Sequence, residues 1–89
     1  MKIVYLKTFL KDIKKIKDPK LAPKVEQLIL EIKTIDSLED LKNVKKMKGY
    51  SVAYRIRVGN YRMGIYKEFD YVELARFLKR SDIYRVFPK

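Results

Sequence analysis

Three arginines within eight residues carry the strongest chemical signal in this chain. Arg55, Arg57 and Arg62 flank the dipeptide Gly59-Asn60, and the segments on either side alternate between apolar and polar residues. Gly-Asn between two alternating segments is a two-residue hairpin signal. A turn there pairs Val58 with Tyr61, Arg57 with Arg62, Ile56 with Met63 and Arg55 with Gly64. Apolar residues then oppose apolar ones, which supports the register. The same register sets Arg57 against Arg62, with Arg55 two residues away on that face. Like charges directly opposite on paired strands destabilise by a few tenths to about 1 kcal/mol. A phosphate between the guanidinium groups would relieve this repulsion and accept several charge-assisted hydrogen bonds. The plainer alternative lets the arginines fan into solvent and cover the sheet with their stems. Tyr66 shares the face and could stack on a base, although core packing or a surface hydroxyl accounts for it equally well.

The surroundings extend this basic character. From Leu41 through Lys67 there is no acidic residue, against eight basic ones: Lys42, Lys45, Lys46, Lys48, Arg55, Arg57, Arg62 and Lys67. A second basic cluster, Lys79-Arg80-Ser81-Asp82-Ile83-Tyr84-Arg85, lies near the C-terminus. The net charge is +11, from 22 Lys and Arg against 11 Asp and Glu. Self-repulsion on this scale calls for an anionic partner, whether nucleic acid, acidic protein or anionic membrane. The chain has no cysteine and no histidine, so a disulfide framework, an imidazole base and a Cys- or His-ligated metal are all excluded. No carboxylate cluster has metal-ligand spacing, and neither a metal nor another cofactor is expected. Met1 to Leu10 has no long apolar run and no stretch reaches membrane-spanning length, so no signal peptide is expected, the expected compartment is the cytoplasm and no membrane partner is expected.

The elements that must position these residues can be read from periodicity. Residues 1–89 make one domain, since so short a chain buries too little surface for two cores. Hydrophobic residues are 47% of the chain, enough for that one core despite the charge. Lys2 to Leu6 reads as a strand. Thr8 can cap a helix running to about Lys17, with Phe9, Leu10, Ile13 and Ile16 at helical spacing. Asp18-Pro19 turns the chain. A second helix carries Pro23 in its first turn and Val25, Leu28, Ile29 and Ile32 on its apolar stripe, ending near Ile35. Leu38 and Leu41 anchor a polar connection. Tyr50–Val58, Tyr61–Tyr66 and Tyr71–Leu78 are then three strands of a meander, and Ser81 to Phe87 is a short helical turn. The predicted fold is α+β: an N-terminal strand and a helical hairpin packed on one face of an antiparallel sheet, in the order β-α-α-β-β-β. Phe9, Ile13, Leu28, Ile32, Val52, Tyr54 and Ile56 are the predicted contacts between helices and sheet. The opposite face is left for the arginines.

Three motifs in order resemble the RelE/ParE toxin superfamily over nearly the whole chain. They are Lys46-Met47-Lys48-Gly49-Tyr50, then Tyr54-Arg55-Ile56-Arg57-Val58-Gly59-Asn60-Tyr61-Arg62, then Arg80-Ser81-Asp82-Ile83-Tyr84-Arg85. The resemblance implies a ribosome-dependent endoribonuclease that cuts messenger RNA in the decoding site and inhibits translation. By position it implies catalytic roles for Arg55 and Arg57, a phosphate-stabilising role for Arg62, a basic role for Arg80 and a base-orienting role for Tyr84. Lys46, Lys48, Lys79 and Tyr66 are then substrate-binding candidates. It implies a cognate antitoxin, the ribosome and messenger RNA as partners, with operator DNA engaged only through the antitoxin complex. The chain departs from the family pattern in having arginines where some members have hairpin lysines, and Lys79 where a histidine is common. Arginine is a poor base because its guanidinium stays protonated at ordinary pH, so the proton acceptor stays open and Lys79 is one candidate. The ParE branch, which poisons DNA gyrase without cutting RNA, is the alternative reading.

Overall fold

The computed structural model describes residues 1–88. Its elements are β1 (Lys2–Tyr5), α1 (Lys7–Lys14), α2 (Leu21–Thr34), β2 (Val44–Lys46), β3 (Ala53–Val58), β4 (Tyr61–Lys67), β5 (Tyr71–Lys79) and α3 (Arg80–Val86), with a 3₁₀ turn at Leu38–Asp40. The strands form one sheet in the order β1-β5-β4-β3-β2. β1 is parallel to β5 and the other pairs are antiparallel, so the α+β arrangement is as expected and the sheet is mixed. The Gly59-Asn60 hairpin has the predicted register, with Arg57 opposite Arg62 and Arg55 opposite Gly64. Gly59 has a φ of 61°, a conformation that glycine adopts without steric cost.

The two N-terminal helices cover one face of the sheet. Phe9, Leu28, Ile32, Tyr54 and Ile56 are buried in one cluster with Met63, Ile65, Leu74 and Phe77, and Ile13 packs at its edge. Val52 is the exception among the predicted contacts, at 39% exposed. β3 begins only at Ala53, because residues 47–52 make the reversal from β2. Met47 N–H donates to Ala53 O across that reversal, and Gly49 turns the chain at a φ of 81°. Replacing Leu28 or Ile56 by Ala should cost about 2–5 kcal/mol each through lost burial and the cavity left behind. Chemical denaturation measures this, and a loss below about half a kcal/mol at both sites would move the core elsewhere.

Three local features differ from the periodicity reading. β2 is an additional edge strand, pairing Val44 with Ile56 and Lys45 with Arg55. Its apolar neighbours Val44 and Met47 stand three apart among lysines, so no period-two signal marks it. Helix α1 starts at Lys7 without a side-chain cap and ends at Lys14. Bonds from Lys15 N–H to Asp12 O and from Ile16 N–H to Ile13 O tighten its last turn, short of the predicted Lys17. Thr8 is not its cap: the Thr8 hydroxyl donates to Ala75 O at 2.6 Å.

Ala75 is the unpaired residue of a bulge, since β5 partners β4 through Arg76 and then Leu74. The extra residue turns Leu74 and Phe77, three apart, to the same helix-covered face. One turn of α1 serves the backbone around it. Four residues after Thr8, Asp12 accepts from Phe77 N–H at 2.9 Å and from the Arg76 fork at 2.8 and 3.1 Å. Asp12 is 4% exposed and is the buried charged residue of the described chain.

A cationic cleft beside the hairpin

On the face away from α1 and α2, side chains fall into rows across the strands. Lys45, Arg55, Gly64 and Arg76 form one row, and Arg57, Arg62 and Leu78 the next. Helix α3 folds back over this face. Ile83 and Phe87, four residues apart, lie on one side of its last turns and are buried against Ala53 and Ala75, with Leu6, Met47, Tyr66 and Leu78 packed around them. These two side chains anchor the helix, which begins at Arg80 with Lys79 as its N-cap. Arg80 N–H donates to Asn60 O at 3.1 Å, which ties the helix start to the hairpin turn.

The result is a cleft of roughly 280 Å³ between the hairpin, β2 and α3. Lys42, Asn43, Val44, Lys45, Arg55, Arg57, Arg62, Arg80 and Tyr84 line it. Six of these nine residues are Lys or Arg and none is a carboxylate. Burial pushes the Arg62 guanidinium below its ordinary pKa, and the like charges of Arg80, Arg55 and Arg57 push it further the same way. Such a group gains more from an incoming anion than a solvated arginine does.

Arg62 is also held in place. Its Nη1 donates to Gly59 O at 3.1 Å and to Tyr61 O at 2.9 Å. Its Nε and Nη2 make no hydrogen bond among the described residues, which leaves that side of the fork for a ligand. Arg57 Nη2 donates to Asn43 Oδ1 at 3.4 Å. The Arg55 guanidinium lies 5.1 Å from the centre of the Tyr84 ring, a cation–π distance. Among the described residues the ion pair is Arg76 with Asp12, so the cleft arginines are not neutralised by the chain itself.

The structure thus brings Arg80 and Tyr84, from the C-terminal helix, to Arg55, Arg57 and Arg62 of the hairpin. The other expected binding residues lie outside this cleft. Lys46 pairs with Tyr54 and so lies on the helix-covered side, while Lys48 belongs to the β2–β3 reversal. Lys79 pairs with Tyr61 and borders a separate hollow with Asn60, Arg80, Ser81 and Tyr84. The Tyr66 ring packs against Phe87 at 5.1 Å. Lys42, Asn43 and Lys45 line the cleft without having been singled out. The signal that could have found them is β2: once Lys45 is opposite Arg55, its side chain must share that face.

These features define an α+β domain with a carboxylate-free cleft lined by arginines and lysines. No protein-family model matches the chain. Toxin RelE3 of Methanocaldococcus jannaschii is 44% identical over 89 residues, covering 99% of this chain and all of that protein. A crystal structure of a RelB–RelE antitoxin–toxin complex from Methanococcus jannaschii matches at 39% identity with a TM-score of 0.81, covering 96% of this chain and 99% of that one. The toxin–antitoxin complex RelBE2 of Mycobacterium tuberculosis, at 20% identity and a TM-score of 0.59, shares the fold over 89% of this chain and 96% of that one. The chain belongs to the RelE toxin family.

Proposed function

We propose that this RelE-family toxin is a ribosome-dependent endoribonuclease, cutting messenger RNA in the decoding site and neutralised by a cognate antitoxin. The observation that carries the reading is the carboxylate-free cleft of roughly 280 Å³ that Arg55, Arg57, Arg62 and Arg80 line together. In the reaction the 2′-oxygen of a nucleotide bonds to the adjacent phosphorus while the bond to the 5′-oxygen breaks. The 2′-hydroxyl loses its proton and the leaving 5′-oxygen gains one. Negative charge builds on the phosphoryl oxygens in between, and fixed cationic donors stabilise it without reorganising. Proton transfer falls to the amines of Lys42 and Lys45 and the phenol of Tyr84, which line the same cleft. The acidic partner expected from the +11 charge accords with the antitoxin present in the RelB–RelE complex of the relative.

The test is cleavage of messenger RNA on purified ribosomes. Wild type should cleave, Arg80→Ala should be slowed strongly, and Tyr84→Phe should be slowed less, because it removes one hydroxyl rather than a charge beside the phosphate. Unchanged cleavage in both variants would detach α3 from the chemistry. Pulse labelling after induction separates the gyrase-poisoning alternative: translation stops first under the proposed reading, and DNA synthesis first under the other.

A further inference from the structure

We infer that Gly64 is a positioning residue: the space left by its missing side chain seats Phe87, and this seat holds α3 at the height that gives the cleft Arg80 and Tyr84. The inference rests on the ribonuclease reading for its consequence, but not for its geometry. Gly64 sits in the middle strand, between Arg55 of β3 and Arg76 of β5 in the same row. Any other residue would fill that position with a side chain pointing at α3. Here the Phe87 ring fills it instead. A Cβ built on Gly64 would lie 2.8 Å from Phe87 Cγ and 2.8 and 2.9 Å from its two Cδ atoms.

That contact is with the near half of the ring, so turning the ring about its own axis cannot relieve it. The ring must move bodily, and it is closely held. Phe87 is 3% exposed, lies against Tyr66 and donates its N–H to Ile83 O at 2.9 Å. Displacing it therefore lifts the C-terminal end of α3. The other end stays tied to the hairpin through Arg80 N–H and Asn60 O. Lifting one end while the other is pinned tilts the helix, and Tyr84 lies between the two ends. Its ring leaves the Arg55 guanidinium, and one wall of the cleft opens. No restriction on the backbone of Gly64 itself competes with this account, since its φ is not among the positive values.

The experiment is a size exchange on the intact chain. Amide hydrogen exchange is measured for wild type, Gly64→Ala, Phe87→Leu and the double variant. The same four proteins are then assayed for messenger RNA cleavage on purified ribosomes. Gly64→Ala should raise exchange in α3 while β3 and β4 stay protected, and should slow cleavage on the order of tenfold to a hundredfold, as small misplacements of reacting groups do. Phe87→Leu in the Gly64→Ala background should restore both protection and rate toward wild type, because the shorter side chain leaves room for the new methyl group. A merely structural role would make the two substitutions worse together than apart. Unchanged exchange in Gly64→Ala, or a double variant no better than Gly64→Ala alone, overturns the seat. Raised exchange with wild-type cleavage overturns its positioning role. If exchange follows the expected pattern while wild type fails to cleave, the seat stands and the ribonuclease reading falls.

Discussion

Arg62→Ala should abolish growth arrest while leaving the fold intact. Two effects oppose each other in the folded protein. Losing the guanidinium removes two hydrogen bonds to the turn carbonyls of Gly59 and Tyr61, worth about 1 kcal/mol each. It also removes the cross-strand repulsion with Arg57, up to about 1 kcal/mol, and the cost of burying a charge among Arg55, Arg57 and Arg80. The net change in stability should stay within about 1 kcal/mol, inside the range of ordinary substitutions. The change in function should be far larger. A preorganised donor aimed at developing charge is worth on the order of a hundredfold or more in rate, and Arg62 is the arginine whose orientation the hairpin fixes. Wild type and variant expressed at equal levels, with growth and ribosomal cleavage followed together, provide the measurement. Equal arrest by both would end the ribonuclease reading for this chain, whereas a variant that fails to fold would instead show that the turn depends on Arg62.

Asp12→Ala should produce the largest loss of stability from a single polar side chain, about 3 kcal/mol, near the lower bound for breaking a buried ion pair. The lower bound applies because Arg76 keeps 22% of its side-chain surface in contact with solvent while Asp12 is almost fully enclosed. The substitution strands the Arg76 charge and leaves Phe77 N–H without the carboxylate it donates to. Both lie beside the bulge that turns Leu74 and Phe77 to the same side of the sheet. Urea denaturation should show the midpoint falling with little change in slope. An Asp12→Leu, Arg76→Met pair should recover part of the loss, since two apolar groups leave no buried charge unpaired. A loss below about 1 kcal/mol for Asp12→Ala would mean that α1 does not hold the bulge in this way.

Much of this architecture is legible along the chain because it depends on local rules. Helical spacing places Leu28 and Ile32 in the core, alternation places Ile56 and Met63 there, and Gly59-Asn60 sets the hairpin register residue by residue. That register alone puts Arg55, Arg57 and Arg62 on one face, because strand side chains alternate with a period of two. The motifs around them and at Arg80 and Tyr84 suffice to show the resemblance to the RelE/ParE superfamily. What the chain could not disclose depends on distant partners. The β2 strand exists because β3 offers it an edge, and only that pairing brings Lys45 to the cleft. Asp12 looks like any surface residue of an amphipathic helix until Arg76 and Phe77 meet it from 64 and 65 residues away. The bulge at Ala75 breaks the alternation of β5, so its faces could not be assigned by counting. Gly64 reads as an unremarkable strand residue until Phe87 occupies its empty side. Local propensity selects the elements and their faces, while the filling of space between elements is decided only where the chain returns on itself, and there α3 turns a row of arginines into a cleft.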